Sequence, residues 1–209
     1  MQTRVTTVIF DYGGVLSLPV DPESLRRLAA WCGLPLDRFR AELWRERPAY
    51  DRGDVGLDGF WSRILALAGR TADAALLERL NREDLRGWAR INERVLGWTR
   101  RLRSEGCKTA ILSNMPRALL DLMNADPAFA WLAEFPVRVF SCDVRRVKPD
   151  PAIYRVVLDR LGEPAGSCLF LDDSERNVAG ARAVGITACH FSSADAAATV
   201  VSELGLPAL

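Results

Sequence analysis

The sequence predicts an α/β fold, namely a doubly wound, mainly parallel Rossmann-like sheet with the expected strand order 3-2-1-4-5 and an inserted helical cap. Short apolar segments rich in β-branched residues alternate with amphipathic helical segments along most of the chain. This pattern is typical of parallel sheets covered by helices on both faces. Residues 18–90 interrupt the alternation, because they contain helical patterns and no convincing strand. We therefore predict an α/β core at residues 1–17 and 91–209 and a helical cap at residues 18–90.

The predicted core begins with a strand at residues 5–10, since this segment is apolar and β-branched and ends in a glycine-containing loop. Four similar segments predict strands at residues 109–112, 137–141, 168–171 and 186–191. Helices are predicted at residues 92–104, 116–123, 151–161, 177–183 and 194–198. Pro151 is typical of a first helical turn, and Gly185 ends the helix that precedes the last strand. Helical crossovers of this kind make the connected strands parallel.

Four amphipathic patterns predict the helices of the cap, at residues 22–32, 36–47, 58–68 and 72–85. Asp58 is predicted to be the N-cap of the third helix, because its short carboxylate can accept from the first free backbone N–H groups. Four tryptophans fall in or beside these helices, and we interpret them mainly as core anchors: Trp31, Trp44, Trp61 and Trp88.

Composition and charge exclude several classes of protein. The 28 Lys and Arg residues against 27 Asp and Glu residues give a formal net charge of +1, so no overall field favours nucleic acid or an anionic membrane. No apolar run approaches the roughly 18 residues of a membrane span. The first strand begins within about five residues of Met1, which leaves no room for a signal peptide. The 5 cysteines form no C-x-x-C pair and are interpreted as reduced thiols. We expect a cytoplasmic protein with neither a nucleic-acid nor a membrane partner, and its oligomeric state stays open.

Histidine and lysine are rare. The single histidine, His190, ends an apolar run and is interpreted as a strand residue near the surface, so a Ser-His-Asp relay or a histidine zinc site has little to build on. Lys108 and Lys148 are the only lysines in a chain that otherwise uses arginine. A lysine therefore indicates a position where a compact ammonium group is needed. Lys108 is interpreted as a solvated residue that opens a strand, whereas Lys148 follows the third strand by a short loop.

Polar residues follow four of the predicted strands at their carboxyl ends, where ligands bind in open parallel sheets. They are Asp11 after the first strand, Ser113 and Asn114 after the second, Lys148 after the third, and Asp172 and Asp173 after the fourth. The Asp172–Asp173 pair alone has a simpler reading as a helix N-cap. Three carboxylates in one cleft repel one another unless a cation lies among them, and oxygen ligands favour Mg²⁺, which shares its ligand shell with substrate phosphate. The set therefore predicts a magnesium site with an anion held against it.

The neighbouring residues have the donors that a phosphate group requires. Gly13 and Gly14 allow backbone N–H groups to approach a phosphate oxygen closely, because no side chain intervenes. Ser113 and Asn114 can donate hydrogen bonds to further oxygens, and Lys148 neutralises the remaining charge. No histidine or cysteine base pair is available, so the credible nucleophile is the carboxylate of Asp11, which would form an aspartyl-phosphate.

Four segments, in order, resemble the four motifs of the haloacid dehalogenase-like (HAD) hydrolases. They are residues 8–16 (VIFDYGGVL), 111–114 (ILSN), 148–154 (KPDPAIY) and 170–177 (FLDDSERN). The match spans essentially the whole chain. The helical insertion resembles the C1-type cap of that superfamily, in which Arg52-Gly53-Asp54 followed by Phe60-Trp61 resembles a turn and a helix start.

The resemblance implies roles for the candidate residues. Asp11 is the expected nucleophile, with Lys148 beside it as the second catalytic residue. The expected ligands of Mg²⁺ are Asp11, the carbonyl oxygen of Gly13 and chiefly Asp173, while Asp172 supports the metal shell. The implied activity is the hydrolysis of a small phosphorylated metabolite, with a sugar phosphate among the candidates.

One position departs from the phosphatase pattern. Most phosphatases of this superfamily have a second Asp two residues after the nucleophile, as the general acid/base, and this chain has Gly13 there. A positioned acid/base contributes on the order of 10²–10⁴-fold in rate. The D-x-G-G/N-V form resembles a subgroup that includes bacterial sugar-1-phosphate phosphatases, whose leaving groups need little protonation. Two alternatives stay open: a catalytically weak HAD-like binding or regulatory domain, and a metal-independent 2-haloacid dehalogenase, for which the Asp172–Asp173 pair has no use.

Overall fold

The computed structural model describes residues 4–209. Over this part of the chain, a single five-stranded sheet has the order β3-β2-β1-β4-β5, and every neighbouring pair is parallel. The strands are β1 (Thr7–Phe10), β2 (Lys108–Ser113), β3 (Val137–Phe140), β4 (Cys168–Asp172) and β5 (Thr187–His190). The predicted doubly wound fold and its strand order are confirmed.

Helices cover both faces of the sheet and fill the insertion after β1. The helices are α1 (Pro22–Cys32), α2 (Leu36–Asp51), α3 (Leu57–Ala66), α4 (Ala74–Trp88), α5 (Glu93–Ser104), α6 (Arg117–Ala125), α7 (Ser141–Val144), α8 (Pro151–Leu161), α9 (Glu175–Ala183) and α10 (Ala194–Glu203). Short 3-10 segments lie at Pro127–Glu134 and Ala165–Ser167. Within the described residues, none of these helices is both long and apolar enough to cross a lipid bilayer.

The central strand β1 is buried on both faces, which explains its continuous apolar sequence. Ile9 packs on one face in a cluster with Tyr154 of α8. Phe10 points to the other face, where its ring lies edge-on to Trp98 at 5.6 Å and to Phe135 at 6.2 Å between ring centroids. The two apolar layers hold β1 at the middle of the sheet, and its carboxyl end is thereby fixed.

Helices α1–α4 form a separate apolar cluster of their own. Trp61 is fully buried in it, as predicted, and Phe60 stacks on Tyr50 with 4.3 Å between ring centroids. The chain enters and leaves this helical region through two adjacent segments, which pair as an antiparallel bridge between Ser17 and Ile91. Hydrogen bonds from Leu18 N to Arg90 O (2.7 Å) and from Asn92 N to Leu16 O (2.9 Å) flank the bridge.

Three predicted details of local chain geometry are wrong: the N-cap of α3, the loop after β3 and the end of α2. Asp58 is not an N-cap: α3 begins one residue earlier, after Gly56, and no side chain caps it. Asp58 instead lies in the first turn, where its charge complements the helix dipole. The short loop expected between β3 and Lys148 begins with the one-turn helix α7, which Arg145 ends in a left-handed conformation (φ 52°).

Helix α2 continues past its predicted end at residue 47, because Pro48 removes only one backbone donor and the later turns re-form. The N–H of Arg52 donates to the carbonyl of Pro48 at 3.1 Å. The extra turn carries Tyr50 into the apolar cluster and brings Asp51 to the carboxyl edge of the sheet.

Candidate active site

The carboxyl end of β1 carries Asp11 into the centre of the site. The Asp11 N–H donates to Leu171 O of β4 at 2.9 Å, which continues the strand pairing by one residue. Its carboxylate oxygen Oδ1 accepts the N–H of Tyr12 at 2.7 Å. The Asp11 side chain is thus held at the sheet edge with one oxygen bonded to its own loop.

Lys148 bridges the first and fourth strand ends. Its Nζ lies 2.9 Å from Asp11 Oδ1 and 2.6 Å from Asp172 Oδ2, and it donates to Leu112 O at 3.1 Å. These contacts use all three donors of the ammonium group. Burial alone would lower the pKa of Lys148, but the two carboxylates outweigh burial and raise it. Lys148 is therefore a permanent buried cation beside the candidate nucleophile.

Asn114 holds the backbone of Lys148 with both ends of its amide. Asn114 Oδ1 accepts the Lys148 N–H at 2.8 Å, and Asn114 Nδ2 donates to Lys148 O at 3.1 Å. Ser113 is buried, and its hydroxyl has one long contact, 3.5 Å to Asn114 O. Asn114 thus positions Lys148, a role that the sequence reasoning missed, while the Ser113 hydroxyl is left for the cavity that it lines.

The two acidic residues after β4 differ sharply in their surroundings. Asp172 is fully buried: Oδ1 accepts Ser174 N–H at 2.9 Å and Asn177 Nδ2 at 3.0 Å, while Oδ2 accepts Lys148 Nζ. Asp173 is exposed and lines the cavity. The protein therefore satisfies the Asp172 carboxylate itself and leaves the Asp173 carboxylate for a ligand.

Both the backbone conformation at position 14 and the closeness of Asp173 require glycine there. The φ of Gly14 is +69°, in the region that favours glycine, and a Cβ there would lie 2.5 Å from Asp173 Oδ2. Gly13 is different, because its φ of −66° suits any residue. A Cβ at Gly13 would meet the ring carbon Cζ3 of Trp88 at 3.1 Å. Trp88 of α4 therefore occupies the space beside the position where the family pattern has an acidic side chain.

The electrostatics of the three carboxylates fit a bound divalent cation. One carboxylate oxygen from each of Asp11, Asp172 and Asp173 lies within 4.8 Å of the others. Burial raises the pKa of Asp11 to about 7, against the opposing effect of Lys148 and with further increases from the other two carboxylates. Partial desolvation within the cavity and the charge of Asp172 likewise raise the pKa of Asp173, although its side chain reaches solvent. A hard cation with oxygen ligands, such as Mg²⁺, relieves this repulsion, so the donor set fits the predicted metal.

A cavity of about 370 Å³ lies over Asp11 and is lined from two sides. The sheet edge contributes six of the predicted site residues: Asp11, Gly13, Ser113, Asn114, Lys148 and Asp173. Gly14 and Asp172 lie outside the lining and support it. Helices α2 and α4 contribute Trp44 and Trp88, whose rings meet edge to face at 6.1 Å between centroids. The core-anchor interpretation is wrong for Trp44, which is 42% exposed, whereas Trp88 packs against the core cluster and also lines the cavity.

A buried charge cluster from α2 and α4 reaches the same cavity. Arg47 Nε donates to Asp51 Oδ1 at 3.0 Å, and Arg47 Nη1 donates to both oxygens of Asp84 at 3.1 and 2.9 Å. All three side chains are buried, and Arg47 and Asp51 line the cavity whereas Asp84 does not. The main-chain carbonyl of Asp51 accepts the Ser141 hydroxyl at 2.7 Å, which ties α2 to the end of β3. The sequence reasoning missed this cluster.

His190 lies at the end of β5 and is exposed, as predicted. Its Nε2 is 3.0 Å from the main-chain oxygen of Asp173. His190 therefore contacts the backbone that carries a candidate ligand and lies outside the cavity lining.

Comparison with known proteins gives a consistent result. A family model described as haloacid dehalogenase-like hydrolase matches residues 5–185. A phosphoglycolate phosphatase from Xanthomonas campestris pv. campestris (strain 8004) is 30% identical over 189 residues, which are 86% of this chain and 79% of the relative. A structure described as a predicted HAD-like family hydrolase from Porphyromonas gingivalis superposes with a TM-score of 0.77 at 21% identity, over 97% of this chain and 98% of the other. HAD family enzyme BT-2542 from Bacteroides thetaiotaomicron, solved with magnesium and inorganic phosphate, superposes with a TM-score of 0.70 at 19% identity, over 88% and 93%.

Proposed function

The chain belongs to the haloacid dehalogenase-like hydrolases, and from this premise we propose that it is a Mg²⁺-dependent phosphatase that acts on a small phosphorylated metabolite through an aspartyl-phosphate on Asp11. The observation that carries the proposal is the position of the Asp11 carboxylate at the floor of the cavity, 2.9 Å from a buried lysine and within 4.8 Å of two further carboxylates. A nucleophilic carboxylate, a fixed cation and a cation-binding group are the parts that phosphoryl transfer needs.

The proposed ligands of Mg²⁺ are the carboxylates of Asp11 and Asp173 and the main-chain carbonyl of Gly13. Asp172 would support them from behind, since its own oxygens are bonded to Lys148 and α9. When bound, Mg²⁺ neutralises charge on the phosphoryl group and on the carboxylates around it. The structural neighbour from Bacteroides thetaiotaomicron was solved in complex with magnesium and inorganic phosphate, which supports the proposal that this site takes Mg²⁺ and a phosphate group.

In the proposed reaction, a carboxylate oxygen of Asp11 attacks phosphorus, and the bond from phosphorus to the leaving alcohol oxygen breaks. Lys148 and the Ser113 hydroxyl stabilise the negative charge on the phosphoryl oxygens, with backbone N–H groups of the Gly13–Gly14 loop as further donors. Water then attacks the aspartyl-phosphate, which releases inorganic phosphate and restores the carboxylate. No carboxyl group stands at Gly13 to protonate the leaving oxygen, so we expect faster turnover with good leaving groups.

We propose that residues 18–90 act as a cap that covers the bound substrate. Helices α2 and α4 supply the side of the cavity that faces the catalytic edge, including both lining tryptophans. Covering the site excludes water and strengthens the charge interactions within it. We also propose a cytoplasmic location, which is supported by the five cysteines, all free in the structure.

The test is phosphate release from acetyl phosphate and p-nitrophenyl phosphate by the purified protein, with Mg²⁺ and after exhaustive chelation. We expect turnover with Mg²⁺, loss with EDTA and recovery when Mg²⁺ is returned. Asp11→Asn should lose nearly all turnover, whereas Asp121→Asn on the exposed face of α6 serves as a matched control and should keep it. Turnover that survives chelation would contradict the metal assignment, and full activity in Asp11→Asn would remove Asp11 from the mechanism.

A further inference from the structure

The charge cluster on α2 and α4 contains one more negative group than positive groups. Arg47 is the only cation in it, and the buried carboxylates of Asp51 and Asp84 both bind that guanidinium. Nε and Nη1 of Arg47 bind these two partners at separations of 2.9 to 3.1 Å. Two carboxylate charges exceed the single guanidinium charge, so the cluster acts on a ligand as a net negative charge.

The part of the cluster that faces the cavity can still form hydrogen bonds. Among the described residues, neither Arg47 Nη2 nor Asp51 Oδ2 has a hydrogen-bond partner, and both side chains line the cavity. One atom donates and the other accepts, which is the pairing that a hydroxyl group needs. The rings of Trp44 and Trp88 supply apolar contact area beside them.

Resting on the function proposed above, we infer that the Arg47–Asp51–Asp84 cluster is a specificity filter. It admits phosphate monoesters whose alcohol part is uncharged and carries hydroxyl groups, and it rejects esters with a second anionic group such as a carboxylate. A second anion would lie beside two buried carboxylates and lose part of its hydration in the cavity, which is costly without an unpaired buried cation to receive it.

Two other cations line the cavity, and Lys148 is already paired with Asp11 and Asp172. The environment of the second, Arg176, differs. Arg176 is exposed and also borders an adjoining open surface pocket. Charges exposed to water are screened by solvent and salt. Arg176 therefore attracts a second anion less strongly than the buried, net negative cluster repels it. This chain is therefore expected to differ from its Xanthomonas campestris relative, whose name identifies phosphoglycolate, a carboxylate-bearing ester, as its substrate.

The experiment compares two esters of similar size, 2-phosphoglycolate and 2-hydroxyethyl phosphate, in which a carboxylate replaces a hydroxymethyl group. The ratio of their kcat/KM values is measured on one preparation with Mg²⁺, so that the fraction of folded enzyme cancels. We expect the wild-type protein to favour the hydroxyl ester at least tenfold. Asp84→Asn, which removes a charge outside the cavity lining and keeps an acceptor for Arg47, should move the ratio toward phosphoglycolate by roughly tenfold, as expected of one unit charge in a partly buried site.

Glu83→Gln is the matched control, because Glu83 is the neighbouring buried carboxylate on α4 and pairs with Arg27. Its ratio should stay within about twofold of the wild type, as expected for a charge outside the cavity lining. A wild-type preference for phosphoglycolate, or a ratio that Asp84→Asn leaves unchanged, would overturn the filter while the phosphatase proposal stands. Failure to release phosphate from acetyl phosphate and from both esters would refute the proposed function and the filter together.

Discussion

Replacing Gly13 by aspartate tests why this chain lacks the acid/base carboxyl group of its family. The backbone at Gly13 suits any residue, with φ −66° and ψ 128°, so no conformational strain opposes the change. The obstacle is Trp88, whose Cζ3 would lie 3.1 Å from the new Cβ. The ring must therefore shift by a few tenths of an ångström, and its neighbour Trp44 is partly exposed and free to follow.

We expect Gly13→Asp alone to be a poor catalyst, since its carboxyl group competes with the indole for space. Overpacking of this kind costs about 1–3 kcal/mol of stability. In Gly13→Asp/Trp88→Leu, the ring is gone and the carboxyl group can reach the leaving oxygen. The gain over Trp88→Leu should then approach the roughly 10²-fold lower bound for a positioned acid/base with alkyl phosphates, and it should be much smaller for acetyl phosphate.

The assay is steady-state phosphate release across a series of leaving groups, with thermal unfolding measured for each variant. Gly13→Ala and Gly13→Ala/Trp88→Leu are the matched controls, because they add the Cβ without the carboxyl group. The reasoning would be refuted if alanine and aspartate at position 13 gave the same leaving-group dependence in the Trp88→Leu background. Such a result would mean that Gly13 does not mark a missing proton donor.

Three further predictions concern charge and packing at the catalytic edge. Lys148→Ala leaves Asp11 and Asp172 without their buried cation, so in metal-free protein it should cost about 3–5 kcal/mol in chemical denaturation; an unchanged unfolding midpoint would contradict the ion pairing. The pKa of Asp11 is raised from 3.8 to about 7 in the folded state, so its contribution to metal-free stability is complete below pH 4 and should be lost as the pH rises through 7, a loss that Asp11→Asn should remove from the pH profile. In the proposed assignment Mg²⁺ binds the ionised carboxylates, so its stabilising shift in Tm should be larger at pH 8 than at pH 5.5, and the reverse order would be inconsistent with that assignment. Gly14→Ala places a methyl group 2.5 Å from Asp173 Oδ2 at positive φ, and calorimetric titration should show at least tenfold weaker Mg²⁺ binding, whereas wild-type affinity would refute the role of this glycine.

The fold was predictable because its signals are local. The buried strands read as continuous apolar runs, and the helices have the 3.6-residue period that one-sided packing requires. Ligands bind at the carboxyl ends of parallel strands, and this rule predicts that residues as distant in sequence as Asp11 and Asp172 lie at the same edge of the sheet.

The rest of the site depends on contacts across the sequence that no local pattern contains. Arg47 and Asp84 are 37 positions apart on two amphipathic helices, where each reads as an ordinary surface charge. Trp88 fits a core position equally well, and only its approach to Gly13 shows that it lines the cavity. Asn114 was expected to face phosphate, and its bonds to the Lys148 backbone appear only when the two loops are brought together.

The antiparallel bridge between Ser17 and Ile91 has a consequence for the evolution and engineering of this chain. Because the two connections leave the sheet side by side, the chain passes between the core and the helical region at one place, where a tight turn could close the same gap. An insert joined in this way can be lengthened, shortened or exchanged for another with little strain on β1. The sheet edge that carries Asp11 and the proposed cap can then diverge at different rates, so we expect an insert grafted at residues 17 and 91 to change which alcohols are accepted.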